Sequence, residues 1–198
     1  MELPDFVTHY HLSDRAPFLN LSDLEGDRLW EVVGELMEMR RSTPSARVFG
    51  RPYVELRRLT EERLRELFIA RGGRPERSAP HYFCLGSCAW FKGLYGGLEE
   101  VVVPLSALPS EATSVTLPDS VTAMGLGVRF GLPDDSRPYH GRVFLLEELP
   151  ELVAEYGLPS GEVDDFYEGY ESRPFEKYIE VQLWSDEPIA SLRLASSA

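Results

Sequence analysis

The chain has 198 residues, 43% of them hydrophobic and 27% charged, with 33 acidic against 20 basic side chains and a formal net charge of −13 at pH 7. That length suffices for one domain with a well-buried core. No apolar run approaches the roughly 20 residues that cross a bilayer, so no membrane partner is expected, and the charge excludes a general nucleic-acid coat protein, whose phosphate contacts need cations.

Two cysteines, Cys84 and Cys88, are too few for a disulfide framework. The acidic opening MELPDFVTHYHL lacks the basic start and apolar centre of a secretory signal, and a cytoplasmic protein is expected. THYHLSD, with His9 and His11, belongs to a short opening strand. NLSDLEGDRLWEVVGELMEMRR then begins with a cap-type Ser22-Asp23 and carries Leu29, Val32, Val33 and Leu36 at helical spacing. RPYVELRRLTEERLRELFIARGG reads as a second helix, with Pro52 in its first turn and Gly72-Gly73 ending it. Its buried side would be Leu56, Leu59, Leu64, Leu67 and Phe68. Beyond it, residues 80–86, 99–105, 114–118, 141–147 and 177–184 read as strands, and 189–195 as a further one. Helical pieces are expected near 147–156 and 162–172. The pattern predicts one α+β domain over residues 1–198, two N-terminal helices followed by a mostly antiparallel sheet.

Charge is unevenly spread. Arg40 to Arg77 holds eleven arginines against five glutamates, whereas eleven acids face three bases from Glu151 onward. The basic segment is either an anion site or a helix whose arginines pair with neighbouring glutamates.

Cys84 and Cys88 lie near His81, but a structural zinc needs four ligands and no second cysteine pair exists, so no metal is expected. The glycines of MGLGVRFG do not follow a strand and open a helix, and make no dinucleotide fingerprint. KYIEVQLW is more informative. Strand periodicity puts Ile179, Val181 and Leu183 on a core face and Tyr178, Glu180, Gln182 and Trp184 on the other. The second face is either an exposed one with cross-strand aromatic pairs, or it frames a carboxylate suited to stabilising positive charge on a sugar carbon. PHYFCLGSCAWFKGLY concentrates aromatics that form core or stack on a flat ring. THYHLSD offers ring nitrogens and hydroxyls suited to a ribose or an amide.

In this order the segments resemble the ADP-ribosyltransferase superfamily, and within it the DarT-like group that modifies DNA bases. The matching stretches are Tyr10-His11-Leu12-Ser13, the paired arginines of ELRRLTEER, PHYFCLGSCAWFKGLY, the Asp-centred VTLPDSVTAMG and the Lys-x-x-Glu strand EKYIEVQLW. Ser13 stands where the family has threonine, and the family's second histidine is missing after it. The resemblance implies an ADP-ribosyltransferase-like fold with NAD as substrate and a nucleic-acid or protein acceptor. It implies that Tyr10, His11 and Ser13 hold the nicotinamide ribose and carboxamide, and that Tyr82 or a neighbouring aromatic stacks on the nicotinamide. Arg57 or Arg58 would contact the pyrophosphate or stabilise the acceptor, and Glu180 would be the catalytic glutamate.

Two other readings compete: a non-catalytic interaction or immunity protein of the same fold, using the acidic segment GEVDDFYEGYES, and an RNA 2′-phosphotransferase-like enzyme, which needs several converging arginines.

Overall fold

The structure, a computed structural model, describes residues 2–42, 50–94, 97–126, 128, 136–159 and 177–190. Strand β1 (Phe6–His11) leads through a 3-10 turn at Leu21–Asp23 into helices α1 (Gly26–Ser42) and α2 (Arg51–Ala70). Then come β2 (His81–Leu85), the single turn α3 (Ala89–Lys92), β3 (Glu99–Pro104), β4 (Thr113–Thr116), the single turn α4 (Ser120–Ala123), β5 (Phe144–Leu145), α5 (Leu149–Tyr156) and β6 (Glu180–Leu183). The six strands form one antiparallel sheet in the order β3-β1-β2-β6-β4-β5. The α+β class with a mostly antiparallel sheet is therefore as the sequence predicts. No helix among the described residues is long and apolar enough to cross a membrane.

Alternation along the strands sorts the two faces. Val7, Phe83, Leu85, Val103, Val115, Ile179, Val181 and Leu183 share one cluster with Leu149 and Leu152 of α5. On the opposite face, Leu64 and Phe68 of α2 pack against Trp184 and Val143. Farther along that face Tyr10, Cys84 and Tyr178 meet Cys88, Leu94 and Leu98 from the segment after β2. Burying each such large apolar side chain contributes about 1.5–3 kcal/mol. Both faces of β6 are thus covered, so Glu180, Gln182 and Trp184 are buried rather than lying on an exposed strand.

Local expectations meet several corrections. Asn20, not Ser22, caps the turn before α1, its side chain accepting from the Ser22 N–H. Leu59, assigned to the buried side of α2, is 40% exposed because α2 presents Leu56, Thr60, Leu64 and Phe68 inward instead. Residues 189–190, where a strand was expected to begin, belong to a helical turn over 187–190, and 191–195 lie outside the described residues. The expected helix at 162–172 and the acidic segment GEVDDFYEGYES also lie outside them. Cys84 and Cys88 are buried and form no disulfide.

Several arginines of the basic segment are ion-paired. Arg41 pairs with Glu38, Arg63 with Glu66, and Arg71 with Glu148. Arg77 bridges Asp23 and Asp186 at 2.6 Å each, tying the turn before α1 to the residues after β6.

Helix α2 ends as its glycines imply. Gly72 takes φ +93°, the left-handed conformation open to glycine. Gly73 lies so close to the Phe68 ring that a Cβ there would overlap it. Phe68 is fully buried and cannot move aside cheaply. Gly73→Ala is therefore expected to destabilise the fold by about 1–3 kcal/mol through overpacking, read as a lower urea midpoint with unchanged far-UV circular dichroism.

Candidate functional site

The site begins with an opening in the sheet. β1 pairs with β3 along all six residues but with β2 only at Val7↔Leu85 and Thr8↔Cys84. Past Thr8 the two strands part. The His9 ring fills the gap: the Phe18 N–H donates to its Nε2 at 2.9 Å, so Nδ1 carries the hydrogen and donates to the Tyr82 carbonyl at 3.0 Å. Phe18 stacks on the same ring at 4.4 Å between centroids. His9 is thus a wedge in its neutral form.

Beyond the wedge lies a cleft of about 960 Å³, lined by Tyr10, His11, Arg57, Tyr82 and Glu180 among others. Five of the seven residues nominated from the sequence thereby meet in one place. Ser13 sits in an exposed turn and Arg58 on the exposed side of α2, and neither lines the cleft. His11 donates from Nδ1 to the carbonyls of Leu12 (2.9 Å) and Arg15 (3.0 Å), so in the neutral ring Nε2 is the acceptor. Tyr10 stacks on Phe91 and its hydroxyl accepts from the Cys88 N–H at 2.8 Å. Burial pushes the Tyr10 phenol up to about 12, against that hydrogen bond. Phe91 meets Tyr178 edge-on, so one wall of the cleft is aromatic.

Glu180 is 7% exposed and tightly held on one side. Its Oε1 accepts from the Ser120 N–H at 3.1 Å and from Gln182 Nε2 at 3.1 Å, Oε2 lies 3.5 Å from the Tyr178 hydroxyl, and the Ser120 side chain also hydrogen-bonds the carboxylate. The orientation of Gln182 is fixed from the far end of the strand. An indole N–H only donates, so Trp184 Nε1 makes Ser114 Oγ its acceptor at 2.8 Å. Ser114 then donates to Gln182 Oε1 at 2.8 Å, which turns the amide nitrogen toward Thr116 Oγ1 and Glu180. With Oε1 filled by donors, Oε2 is the oxygen available to a ligand and the one that carries the proton. Burial raises the Glu180 carboxyl to about 7, helped by the nearby Asp119 charge and opposed by Ser120 and Gln182.

Arg57 is also held in place. Its Nε donates to Ser22 Oγ at 2.7 Å and pairs with Glu61 at 3.0 Å, one terminal nitrogen reaches Asn20 Oδ1 at 2.8 Å, and the other the Tyr53 hydroxyl at 3.3 Å. Burial opposes its charge, but Tyr82, Tyr53 and Glu61 together raise its pKa above the ordinary arginine value. The guanidinium lies 4.6 Å above the Tyr82 ring, so that ring face is already covered. Tyr82 donates to Glu61 Oε1 at 2.8 Å, and burial keeps its phenol neutral well beyond the usual range.

Glu61, Asn20 and Asp119 are the members that sequence reasoning missed. Glu61 is 4% exposed, and its signal was the Arg57-to-Glu61 spacing of four on a helix. Asp119 lines the cleft and caps α4 by accepting from the Thr122 N–H at 3.1 Å. Among the described residues no His, Cys, Asp and Glu cluster could hold a metal ion.

The raised pKa has a sign that can be tested. Between about 4.5 and 7 the unfolded chain ionises Glu180 while the fold keeps it protonated, so stability falls as pH rises through that window. Glu180→Gln is expected to match the wild type near pH 4.5 and to exceed it by up to about 3 kcal/mol above pH 7, measured by denaturant unfolding across pH. Gln182→Leu removes a donor to the carboxylate and should move the midpoint of that difference upward.

No protein-family profile matches the chain, and no curated protein or solved structure is significantly similar to it.

Proposed function

We propose that the chain is an NAD-dependent ADP-ribosyltransferase acting on a macromolecular acceptor, with a nucleic-acid base the acceptor its resemblance implies. One observation supports this above others: His11 and Glu180, from opposite ends of the sequence, line the same cleft beside an aromatic wall. A flat cationic pyridinium is favoured by aromatic faces and by a carboxylate, and the cleft offers both. The residues supply what glycosidic cleavage needs. Ionised Glu180, through Oε2, accepts from a ribose hydroxyl and stabilises the oxocarbenium-like carbon as the C1′–N bond breaks. Nicotinamide leaves neutral with the bonding pair, and the acceptor nucleophile bonds to C1′ and gives up its proton. His11 Nε2 accepts from a second hydroxyl or an amide. Arg57, with two N–H groups unused among the described residues, faces an oxygen of the pyrophosphate.

The 2′-phosphotransferase reading draws less support. All three arginines described on the cleft wall are ion-paired, Arg15 with Glu35 at 2.7 Å, Arg28 with Glu31 at 2.6 Å and Arg57 with Glu61 at 3.0 Å.

The test is nicotinamide release from NAD, with single-stranded DNA, RNA or cell lysate supplied as acceptor. Wild type is expected to release nicotinamide and Glu180→Ala to lose roughly 10²- to 10³-fold in rate. Because the ionised carboxylate is the working form, the rate should rise with pH through a midpoint near 7. A folded wild-type protein that releases nothing with any acceptor overturns the proposal.

A further inference from the structure

Thr8 is fully buried and lines the cleft, yet its Oγ1 has no hydrogen-bond partner among the described residues. Such a hydroxyl is a net loss to the fold, because valine has the same shape without a polar atom to desolvate. Its position in the sheet says what it faces. The pairings Thr8↔Cys84 and Cys84↔Glu180 set the three residues in one row across β1, β2 and β6, with side chains on one face. Two strand spacings separate Thr8 from Glu180, roughly 10 Å. Tyr10, two residues along β1, shares that face and stacks on Phe91. Cys84 stands between Thr8 and Glu180 in this row and all three line the cleft, so its floor runs from the carboxylate over Cys84 to the unused hydroxyl.

We propose that Thr8 anchors the leaving group of the substrate, its Oγ1 hydrogen-bonding the carboxamide of the pyridinium ring while Glu180 holds the attached ribose. This inference rests on the NAD reading and adds to it the residue that recognises the amide. A side chain able both to donate and to accept suits an amide, whose carbonyl and NH₂ need opposite partners. It also makes the cleft selective, since a ring lacking the amide leaves the Thr8 hydroxyl buried and unpaired.

The experiment compares wild type, Thr8→Val and Thr8→Ser, using carba-NAD, whose glycosidic bond does not break, and ADP-ribose, which lacks the ring. Binding is read by calorimetry and Tm is measured without ligand. Thr8→Val is expected to raise Tm by about 2–4 °C, to weaken carba-NAD roughly 5- to 20-fold and to leave ADP-ribose unchanged. Thr8→Ser should retain carba-NAD binding within about threefold. Equal carba-NAD affinity in wild type and Thr8→Val, or an equal loss for both ligands, overturns the assignment of Thr8 and spares the NAD reading. Wild-type protein that binds neither ligand overturns both.

Discussion

The ladder that joins the β3-β1 half of the sheet to the four strands beyond has just two residue pairs among the described residues, Val7 with Leu85 and Thr8 with Cys84. The Gly86 N–H adds one bond to the Phe6 carbonyl at 2.9 Å, and past Thr8 there is no ladder. Strands that separate leave main-chain groups without partners, and these must be satisfied some other way. His9 does this on both sides, accepting from Phe18 and donating to Tyr82. A longer ladder would close the sheet and abolish the cleft. The brevity of this joint therefore leaves room for the cleft that Glu180 lines.

Polar side chains buried near such an opening behave differently from those sealed in a core. The Trp184–Ser114–Gln182 chain and the Glu61–Tyr82 pair are satisfied by their neighbours, and each makes a rigid wall. Glu180 is well satisfied on Oε1 and has a long contact on Oε2, and the Thr8 Oγ1 has no partner among the described residues. The incomplete groups lie on one row of the sheet and the complete ones flank them. Stability is lost where the groups are left open, in the manner of sites that keep strain or desolvation for a ligand.

Most of the secondary structure was legible. The repeat of Leu56, Leu64 and Phe68 along α2, the Gly72-Gly73 stop and the alternation in KYIEVQLW are local signals, and the structure keeps them. The failures have local physical causes. Leu59 reads as core by type, yet the inward stripe of α2 runs through Thr60, whose hydroxyl donates to the Leu56 carbonyl at 2.8 Å and so needs no water. Ile189 has the composition of a strand residue but is buried in a helical turn. Glu61 resembles its exposed neighbour Glu62 in sequence, and only the approach of Tyr82 and Ser22 distinguishes the buried one.

The sequence by itself determined the element types, the α+β class and the faces of most strands, because periodicity and turn chemistry act over a few residues. It also singled out Tyr10, His11, Arg57, Tyr82 and Glu180 as residues able to carry chemistry. Tertiary structure decided which of them meet, since the register of β1 on β2 and of β2 on β6 brings together positions far apart in the chain. It removed Ser13 and Arg58 by leaving them in solvent, and it added Thr8, Glu61 and Asp119. Burial and the orientation of hydrogen-bond donors set the state of Glu180. Both depend on what surrounds a side chain in space, which sequence spacing does not encode.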